Sequence, residues 1–177
     1  MSNEYSFSQS FETKLPPDDD VERSMCTHCG FIDYKNPKIV VGAVATWEDR
    51  ILLCKRAIEP RTGYWTVPAG YLEVNETPEA GALREAYEEA LATLEIDRLL
   101  AVYAVPHLSQ VQLMFRARLT SPEIAPGPES QDVMLVKWGD IPWSQIAFPT
   151  VHWALNHFAE TKNIDDFAPF SNPPSKI

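Results

Sequence analysis

The sequence is poor in cysteine and has no long hydrophobic run. Three cysteines among 177 residues are too few for a secreted disulfide scaffold. No apolar stretch approaches the ~20 residues that cross a bilayer. The first residues resemble neither a signal peptide nor a transit peptide. We therefore expect a cytoplasmic protein without a membrane partner.

Basic residues are also scarce, and the longest basic run is Lys55-Arg56. The chain has 15 Lys and Arg against 25 Asp and Glu, a formal net charge of -10. This balance argues against a nucleic-acid partner, because such binding uses clustered cations. An acidic protein that binds an anionic substrate needs a local cation, usually a divalent metal. A hydrophobic content of 45% is enough for a packed core.

The chain divides into a domain at residues 37–162, with an N-terminal arm at 1–36 and a tail at 163–177. Met1–Glu22 is polar and has no hydrophobic period, which predicts a loose arm. The tail carries three prolines and is predicted to lie along the surface or to be disordered.

Within the domain, short β-branched runs alternate with turns, and two segments have helical spacing. The predicted helices are Thr77–Ala92, capped by Thr77 or Asn75, and Thr150–Lys162. The predicted strands are 39–46, 51–56, 64–67, 99–105, 111–119 and 133–138. This order predicts an α+β fold in which a mixed β-sheet lies between helical layers.

The first helix carries an acidic face, on which Glu85, Glu88 and Glu89 point the same way. Three close carboxylates repel one another unless a cation lies between them. Few, hard oxygen ligands suit Mg²⁺ or Mn²⁺ shared with substrate phosphates. Arg84 is placed to pair with Glu88 or with Glu76. The alternative is an ordinary solvated helix face.

The spacing around this face is specific, because six residues fall at fixed offsets: Gly70, Glu76, Arg84, Glu85, Glu88 and Glu89. Average residue usage gives a chance of about 10⁻⁵ for this match anywhere in the chain. The segment GYLEVNETPEAGALREAYEEALA resembles the Nudix box, G-x5-E-x7-R-E-U-x-E-E-x-G-U, where U is apolar. The resemblance extends over about Pro37–Lys162.

This resemblance implies an α/β/α sandwich with a mixed β-sheet that hydrolyses a nucleoside diphosphate linked to another moiety. It implies metal ligands at the carbonyl of Gly70 and at Glu85, Glu88 and Glu89, with Glu76 and Arg84 as a supporting ion pair. Leu91 stands where the box has a second glycine. Because leucine adopts the left-handed conformation poorly, we expect it to prolong the helix toward Thr93 and to pack inward.

A carboxylate must also take the proton of the attacking water. Glu85 is one candidate, and the resemblance suggests a glutamate from a later loop, for which we prefer Glu129 over Asp132. The alternative for that loop is an ordinary polar connection. Arg56 and Arg61 are candidates for binding phosphates, and Trp65 or Tyr71 for stacking on a base or ribose. The competing interpretations are a solvated strand end for the two arginines and a core position for the two aromatic residues.

Cys26 and Cys29 form a CxxC that resembles the second half of a zinc ribbon preceding some Nudix domains. A ribbon needs four ligands, and residues 1–25 contain no cysteine or histidine. Zinc at Cys26 and Cys29 is therefore not expected, and a knuckle held by hydrogen bonds is preferred.

The resemblance favours a magnesium-dependent pyrophosphatase acting on a small nucleotide such as ADP-ribose, FAD or NADH. One alternative is a pyrophosphohydrolase that removes damaged nucleoside triphosphates. Another is a non-catalytic ligand sensor with the same fold, which we rank lower because all box carboxylates are present. We expect a homodimer, as in many relatives.

Overall fold

The computed structural model describes residues 10–174, and the chain divides into two compact units, Met1–Asn36 and Pro37–Ile177. The first unit is an antiparallel sheet of three strands, β1 (Phe11–Lys14), β2 (Arg23–Cys26) and β3 (Ile32–Asp33). The loose arm expected for Met1–Glu22 is wrong over β1, because its backbone pairs with β2. A polar strand of four residues leaves no hydrophobic alternation to read. Residues 1–9 lie outside the described residues.

The described residues of the second unit form seven strands and two α-helices. The strands are β4 (Lys38–Trp47), β5 (Arg50–Arg56), β6 (Trp65–Thr66), β7 (Ala69–Tyr71), β8 (Leu94–Val105), β9 (Gln110–Leu119) and β10 (Ser130–Lys137). The helices are α1 (Pro78–Ala90) and α2 (Pro149–Thr161). The six predicted strands and both helices are present, and the largest shift is that β8 begins at Leu94 rather than Leu99. The short strand β7 is an addition. No helix within residues 10–174 is long and apolar enough to span a membrane.

The main sheet is mixed, with the order β10-β5-β4-β9-β8 and with β6 and β7 pairing β5 and β4. Strands β4 and β9 run parallel, and the other pairs are antiparallel. Parallel neighbours need a long crossover, and here the connection between β4 and β9 includes α1. The strand β7 pairs with β4 so that Gly70 lies opposite Val41. This pairing places the first residue of the box at the edge of the central strand.

Both faces of the sheet are covered by a helix, which makes the unit an α/β/α sandwich and confirms the predicted fold class. Alternate residues of one strand point to opposite faces. In β5, Leu52 packs in the cluster with the alanines of α1, whereas Leu53 packs in the cluster with α2. The buried residues of α2 include Val151, Ala154, Leu155 and Phe158.

The helix α1 begins as its sequence predicts. Thr77 is the N-cap, its hydroxyl accepts a hydrogen bond from the Ala80 N–H at 3.2 Å, and Pro78 follows in the first turn. Ala82, Ala86 and Ala90 are buried against the sheet. Because alanines are small, the helix lies close to β4 and its acidic residues reach the edge formed by β7.

The end of α1 corrects the expectation for Leu91. The helix stops at Ala90, and Leu91 adopts the left-handed conformation with φ 49° and ψ 25°. Its side chain is 45% exposed rather than packed inward. Its N–H donates to the Tyr87 carbonyl at 2.8 Å, so the closing hydrogen bond of the helix forms despite the missing glycine.

We expect Leu91→Gly to be more stable than Leu91→Ala by about 1 kcal/mol. Both changes remove the half-exposed side chain, but only glycine adopts the left-handed conformation without steric cost. The greater freedom of glycine in the unfolded chain offsets part of the gain. Urea unfolding of the two variants measures the difference, and equal stabilities would contradict a backbone cost at this position.

The C-terminal tail runs along the edge strand β8. The Phe170 N–H donates to the Leu100 carbonyl at 2.9 Å, and the side-chain amide of Asn172 bonds both backbone groups of Ala104. Phe170 also stacks on His157 of α2 at 4.1 Å between ring centroids. The tail thus supplies hydrogen bonds to backbone groups of a strand that would otherwise be an open sheet edge. Residues 175–177 lie outside the described part.

Candidate functional site

The acidic face of α1 is organised by Arg84, whose guanidinium contacts three carboxylates. Nε and Nη2 lie 3.1 and 2.7 Å from the two oxygens of Glu76. Nη1 lies 2.7 Å from Oε1 of Glu85 and 2.9 Å from Oε2 of Glu88. Nη2 also donates to the Tyr71 carbonyl at 2.9 Å. The predicted pairs of Arg84 with Glu76 and Glu88 are both present in the structure.

Glu76 supports this arrangement from the loop before α1. Its Oε1 also accepts a hydrogen bond from the Glu73 N–H at 2.7 Å. Arg84 lowers the pKa of Glu76, and Glu76 in turn raises the pKa of Arg84. The pair is therefore charged over the whole working range of pH, and it fixes the loop to the helix.

Gly70 lies directly beneath the carboxylate of Glu85. A Cβ added at Gly70 would overlap the carboxylate carbon and both of its oxygens. Only a residue without a side chain lets Glu85 lie over this turn of the backbone, so the glycine of the box has a steric reason here. The backbone of Gly70 and the carboxylate of Glu85 are thereby brought into contact.

Glu89 is the most deeply placed carboxylate of the cluster. Its residue is 6% exposed, and its Oε2 accepts a long hydrogen bond of 3.4 Å from the Ala69 N–H. Burial raises the pKa of Glu89 to about 8, and the charge of Glu85 adds to the effect. Burial likewise raises the pKa of Glu85, against the opposing contact with Arg84. The positive charge that the protein places near Glu85 and Glu89 is therefore not enough to offset their burial.

The expectation that the side chains of Glu85, Glu88 and Glu89 all point the same way is wrong. Among residues 10–174, no three carboxylate, imidazole or thiol side chains are gathered into a group that could hold a metal ion. The physical reason is that like charges separate: Glu88 turns outward to Arg84, with 56% of its side chain exposed, whereas Glu89 points inward. Any cation held here needs ligands besides these side chains, such as backbone carbonyl, water or phosphate oxygens.

Glu129 faces this cluster from the loop before β10. Its charge raises the pKa of both Glu85 and Glu89. Asp132 instead accepts a hydrogen bond from the Val133 N–H at 2.9 Å. Of the two candidate bases in this loop, the structure brings Glu129 to the acidic face.

The predicted substrate-binding residues fall in different surroundings. Arg56 acts on Glu89, whose pKa it lowers, and its Nε donates to the Pro60 carbonyl at 2.8 Å. Arg61 lies on the exposed loop with its guanidinium 5.3 Å from the Tyr64 ring centroid. Tyr71 is 48% exposed, beside Gly70. The stacking role of Trp65 is wrong, because its indole is 8% exposed and packs in the core beneath α2.

Sequence reasoning missed two groups behind the cluster. Cys54 is buried next to Glu89, and burial together with that charge raises the pKa of its thiol well above the usual range. Ser130 is also buried. Neither residue type has a spacing signal, since their proximity depends on the pairing of β5 with β10.

The raised pKa of Glu89 predicts that the metal-free protein loses stability as pH rises. The folded pKa of about 8 exceeds the value of about 4.5 for an unfolded glutamate, so the folded state binds more protons between these values. The free energy of unfolding of the wild type, relative to Glu89→Gln, should therefore fall by about 3–5 kcal/mol from pH 4.5 to 8.

Urea unfolding in the presence of EDTA at several pH values measures this difference. Using the difference between the two proteins cancels other titrations, such as that of buried His157, whose lowered pKa acts in the opposite direction. Parallel pH profiles for wild type and Glu89→Gln would contradict the assignment.

In the small N-terminal unit, the CxxC segment forms a tight turn. The Gly30 N–H donates to the Cys26 carbonyl at 3.0 Å, and the Cys26 N–H donates to the Phe31 carbonyl at 2.8 Å. Backbone N–H groups of Cys29 and His28 point at the Cys26 sulfur and lower its pKa. The knuckle is built from backbone hydrogen bonds.

The two units of the chain match two different family models. Residues 36–154 match the NUDIX domain, and residues 8–35 match the Nudix N-terminal zinc ribbon. The crystal structure of a NUDIX hydrolase from Nitrosomonas europaea is similar, with a TM-score of 0.88 and 42% identity, covering 95% of this chain and 97% of that one.

Curated relatives are similar over parts of their length. The ADP-ribose pyrophosphatase of Methanocaldococcus jannaschii is 26% identical over 113 residues, 62% of this chain and 67% of that protein. The NAD-capped RNA hydrolase NudC of Photorhabdus laumondii is 33% identical over 116 residues, 64% of this chain and 43% of that protein. This chain spans from 25% to 67% of the first curated relatives that it matches. Since the NUDIX match covers more than half of the chain, the protein belongs to the Nudix hydrolase family.

Proposed function

We propose that the protein hydrolyses the pyrophosphate bond of a nucleoside diphosphate linked to another moiety, with ADP-ribose as the first substrate to test. The observation that carries the proposal is the set of oxygen ligands at one edge of the sheet: Glu85 over Gly70, the buried Glu89, and Glu88 held by Arg84. A relative that is 26% identical over 62% of this chain is an ADP-ribose pyrophosphatase. FAD and NADH have the same diphosphate linkage and belong to the same proposal.

The chemistry of the ligands fits a divalent cation such as Mg²⁺ or Mn²⁺. All candidate ligands are hard oxygens, and the raised pKa of Glu89 marks a carboxylate that lacks a positive partner. Arg84 contacts Oε1 of Glu85 and Oε2 of Glu88, so this ion pair does not use the second oxygen of either group. The carbonyl of Gly70 is the fourth candidate. Magnesium takes few protein carboxylates and completes its shell with water and phosphate, which agrees with the open cluster.

When bound, such a cation neutralises the diphosphate, stabilises the leaving phosphate and acidifies a water molecule. The protein's own residues then have separate tasks. Arg84 orients Glu85 and Glu88, and the ion pair with Glu76 fixes Arg84 to the loop before the helix. Glu129 is the base that takes a proton from the attacking water, with Glu85 as the alternative.

Substrate binding is assigned to groups around the same edge. Arg56 lies close enough to lower the pKa of Glu89, so its charge also acts on a phosphate held at the cluster. Tyr71 offers a half-exposed ring beside Gly70, and Arg61 lies on the exposed 60–63 loop. These three residues are proposed to bind the phosphates and the sugar or base.

The direct test incubates the purified full chain with ADP-ribose, FAD or NADH and with Mg²⁺ or Mn²⁺, and identifies products by mass. We expect AMP and ribose 5-phosphate from ADP-ribose, and no product when EDTA replaces the metal. An NAD-capped RNA oligonucleotide forms a further arm. Pyrophosphate released from nucleoside triphosphates, without cleavage of the linked diphosphates, would support the triphosphate alternative. Cleavage of neither class would contradict an enzymatic function and leave a ligand sensor.

A further inference from the structure

The loop of residues 120–130, which carries Glu129, is bonded to the C-terminal end of α1. The Ala125 N–H donates to the Ala90 carbonyl at 2.9 Å, and the Gly127 N–H donates to the Glu89 carbonyl at 3.1 Å. The last carbonyls of a helix have no partner within the helix, so a passing chain can supply them with donors. The loop is therefore held by the same turn of helix that carries the acidic residues.

Gly127 is the point of closest approach. A Cβ added there would overlap the carbonyl oxygen and carbon of Glu88. The φ of this glycine is not in the left-handed range, so the requirement is for space rather than for conformation. Prolines at 126 and 128 restrict the backbone on both sides. Gly127, within this conformationally restricted segment, thus packs its backbone directly against the helix end.

Glu129 follows this contact and is anchored on its other side as well. The Ser130 N–H donates to the Gly127 carbonyl at 3.0 Å, which closes a tight turn around Glu129. The Ala57 N–H, just after β5, donates to the Glu129 carbonyl at 2.8 Å. The backbone of Glu129 therefore has its position set by α1 through Gly127 and by the sheet through Ala57. Its carboxylate lies close enough to Glu85 and Glu89 for its charge to act on both.

We propose that Gly127 is a positioning residue, whose lack of a side chain holds the Glu129 carboxylate against the acidic face of α1. This inference rests on the proposed function, in which Glu129 is the base. A side chain at 127 must lift the loop from the helix end, which moves Glu129 away from the attacking water. Misplacement of a reacting group by about 1 Å can cost about 100-fold in rate.

The test compares Gly127→Ala with Gly139→Ala, because a Cβ at Gly139 meets nothing within 4 Å and its φ is ordinary. With ADP-ribose and Mg²⁺, we expect Gly127→Ala to lower kcat by about 30- to 100-fold. We expect its KM and its Mn²⁺ affinity by calorimetry to stay within about threefold. Gly139→Ala should retain wild-type kcat. A kcat for Gly127→Ala within twofold of wild type would overturn the inference.

A double variant separates positioning of Glu129 from general damage. If Gly127 acts through Glu129, adding Gly127→Ala to Glu129→Gln lowers kcat no further. Multiplied losses, or an unaffected Glu129→Gln, would overturn the inference while wild-type turnover still supports the proposed function. If the wild type cleaves no linked diphosphate, both the proposed function and this inference are contradicted.

A milder variant covers the case in which Gly127→Ala does not fold. Ala125→Pro removes the N–H that bonds to the Ala90 carbonyl, at a position that Pro126 already keeps extended. We expect it to fold and to lower kcat by about threefold, with the loss absent in the Glu129→Gln background. An unchanged kcat for a folded Ala125→Pro would count against the loop contact.

Discussion

Glu89→Gln is expected to lower kcat for ADP-ribose by about a thousandfold, equivalent to about 4 kcal/mol of transition-state stabilisation. Glu89 is the buried member of the cluster, and its pKa of about 8 shows that the protein itself does not neutralise its charge. The amide keeps the shape but supplies no negative charge to a cation. Steady-state kinetics with saturating Mg²⁺ measure the effect, and calorimetry with Mn²⁺ should show weakened binding.

Glu79→Gln is the matched control, since Glu79 is exposed in the first turn of the same helix. It should keep wild-type turnover. Glu89→Gln is expected to fold, because a neutral amide of the same shape replaces a buried carboxyl group. Wild-type turnover with wild-type Mn²⁺ affinity in Glu89→Gln would therefore exclude Glu89 from the metal site and could not be attributed to misfolding.

Helical spacing in the sequence was enough to predict α1 and its start. Thr77 with Pro78 gives a local capping signal, and the structure uses both. The helix end could not be predicted from Leu91, because the left-handed conformation costs a leucine only about 1 kcal/mol. The surrounding contacts override this cost: the Ala125 N–H donates to the carbonyl of Ala90, from a loop that follows β9 in the chain. Contacts between residues so far apart leave no local pattern.

The same distinction explains which site residues the sequence revealed. Gly70, Arg84 and the glutamates lie in one continuous segment, so their spacing identifies them together. Glu129 could be named only as one of two loop acids, and its effect on the pKa of Glu85 and Glu89 becomes visible only in the structure. Trp65 shows the reverse failure. Trp65 was a candidate for stacking on a base or ribose, but β6 pairs with β5 and the ring packs in the core.

Arg84→Lys is expected to lower kcat by about 100-fold and to reduce the free energy of unfolding by about 1–3 kcal/mol. The guanidinium contacts Glu76 through Nε and Nη2, and Glu85 and Glu88 through Nη1. Nη2 also donates to the Tyr71 carbonyl. A lysine ammonium has the same charge but a single nitrogen, so it cannot reach all of these oxygens from one position. Loss of the Glu76 contact also frees the loop that follows Gly70.

The paired measurement of kinetics and metal binding separates this role from charge alone. Because the charge is conserved, long-range electrostatics in Arg84→Lys stay the same, and a loss of kcat reports geometry. Arg118→Lys, at an exposed position on β9, is the matched control and should leave both quantities unchanged. Wild-type kcat in Arg84→Lys would show that charge near the cluster suffices. It would contradict the view that one planar side chain sets the positions of Glu85 and Glu88.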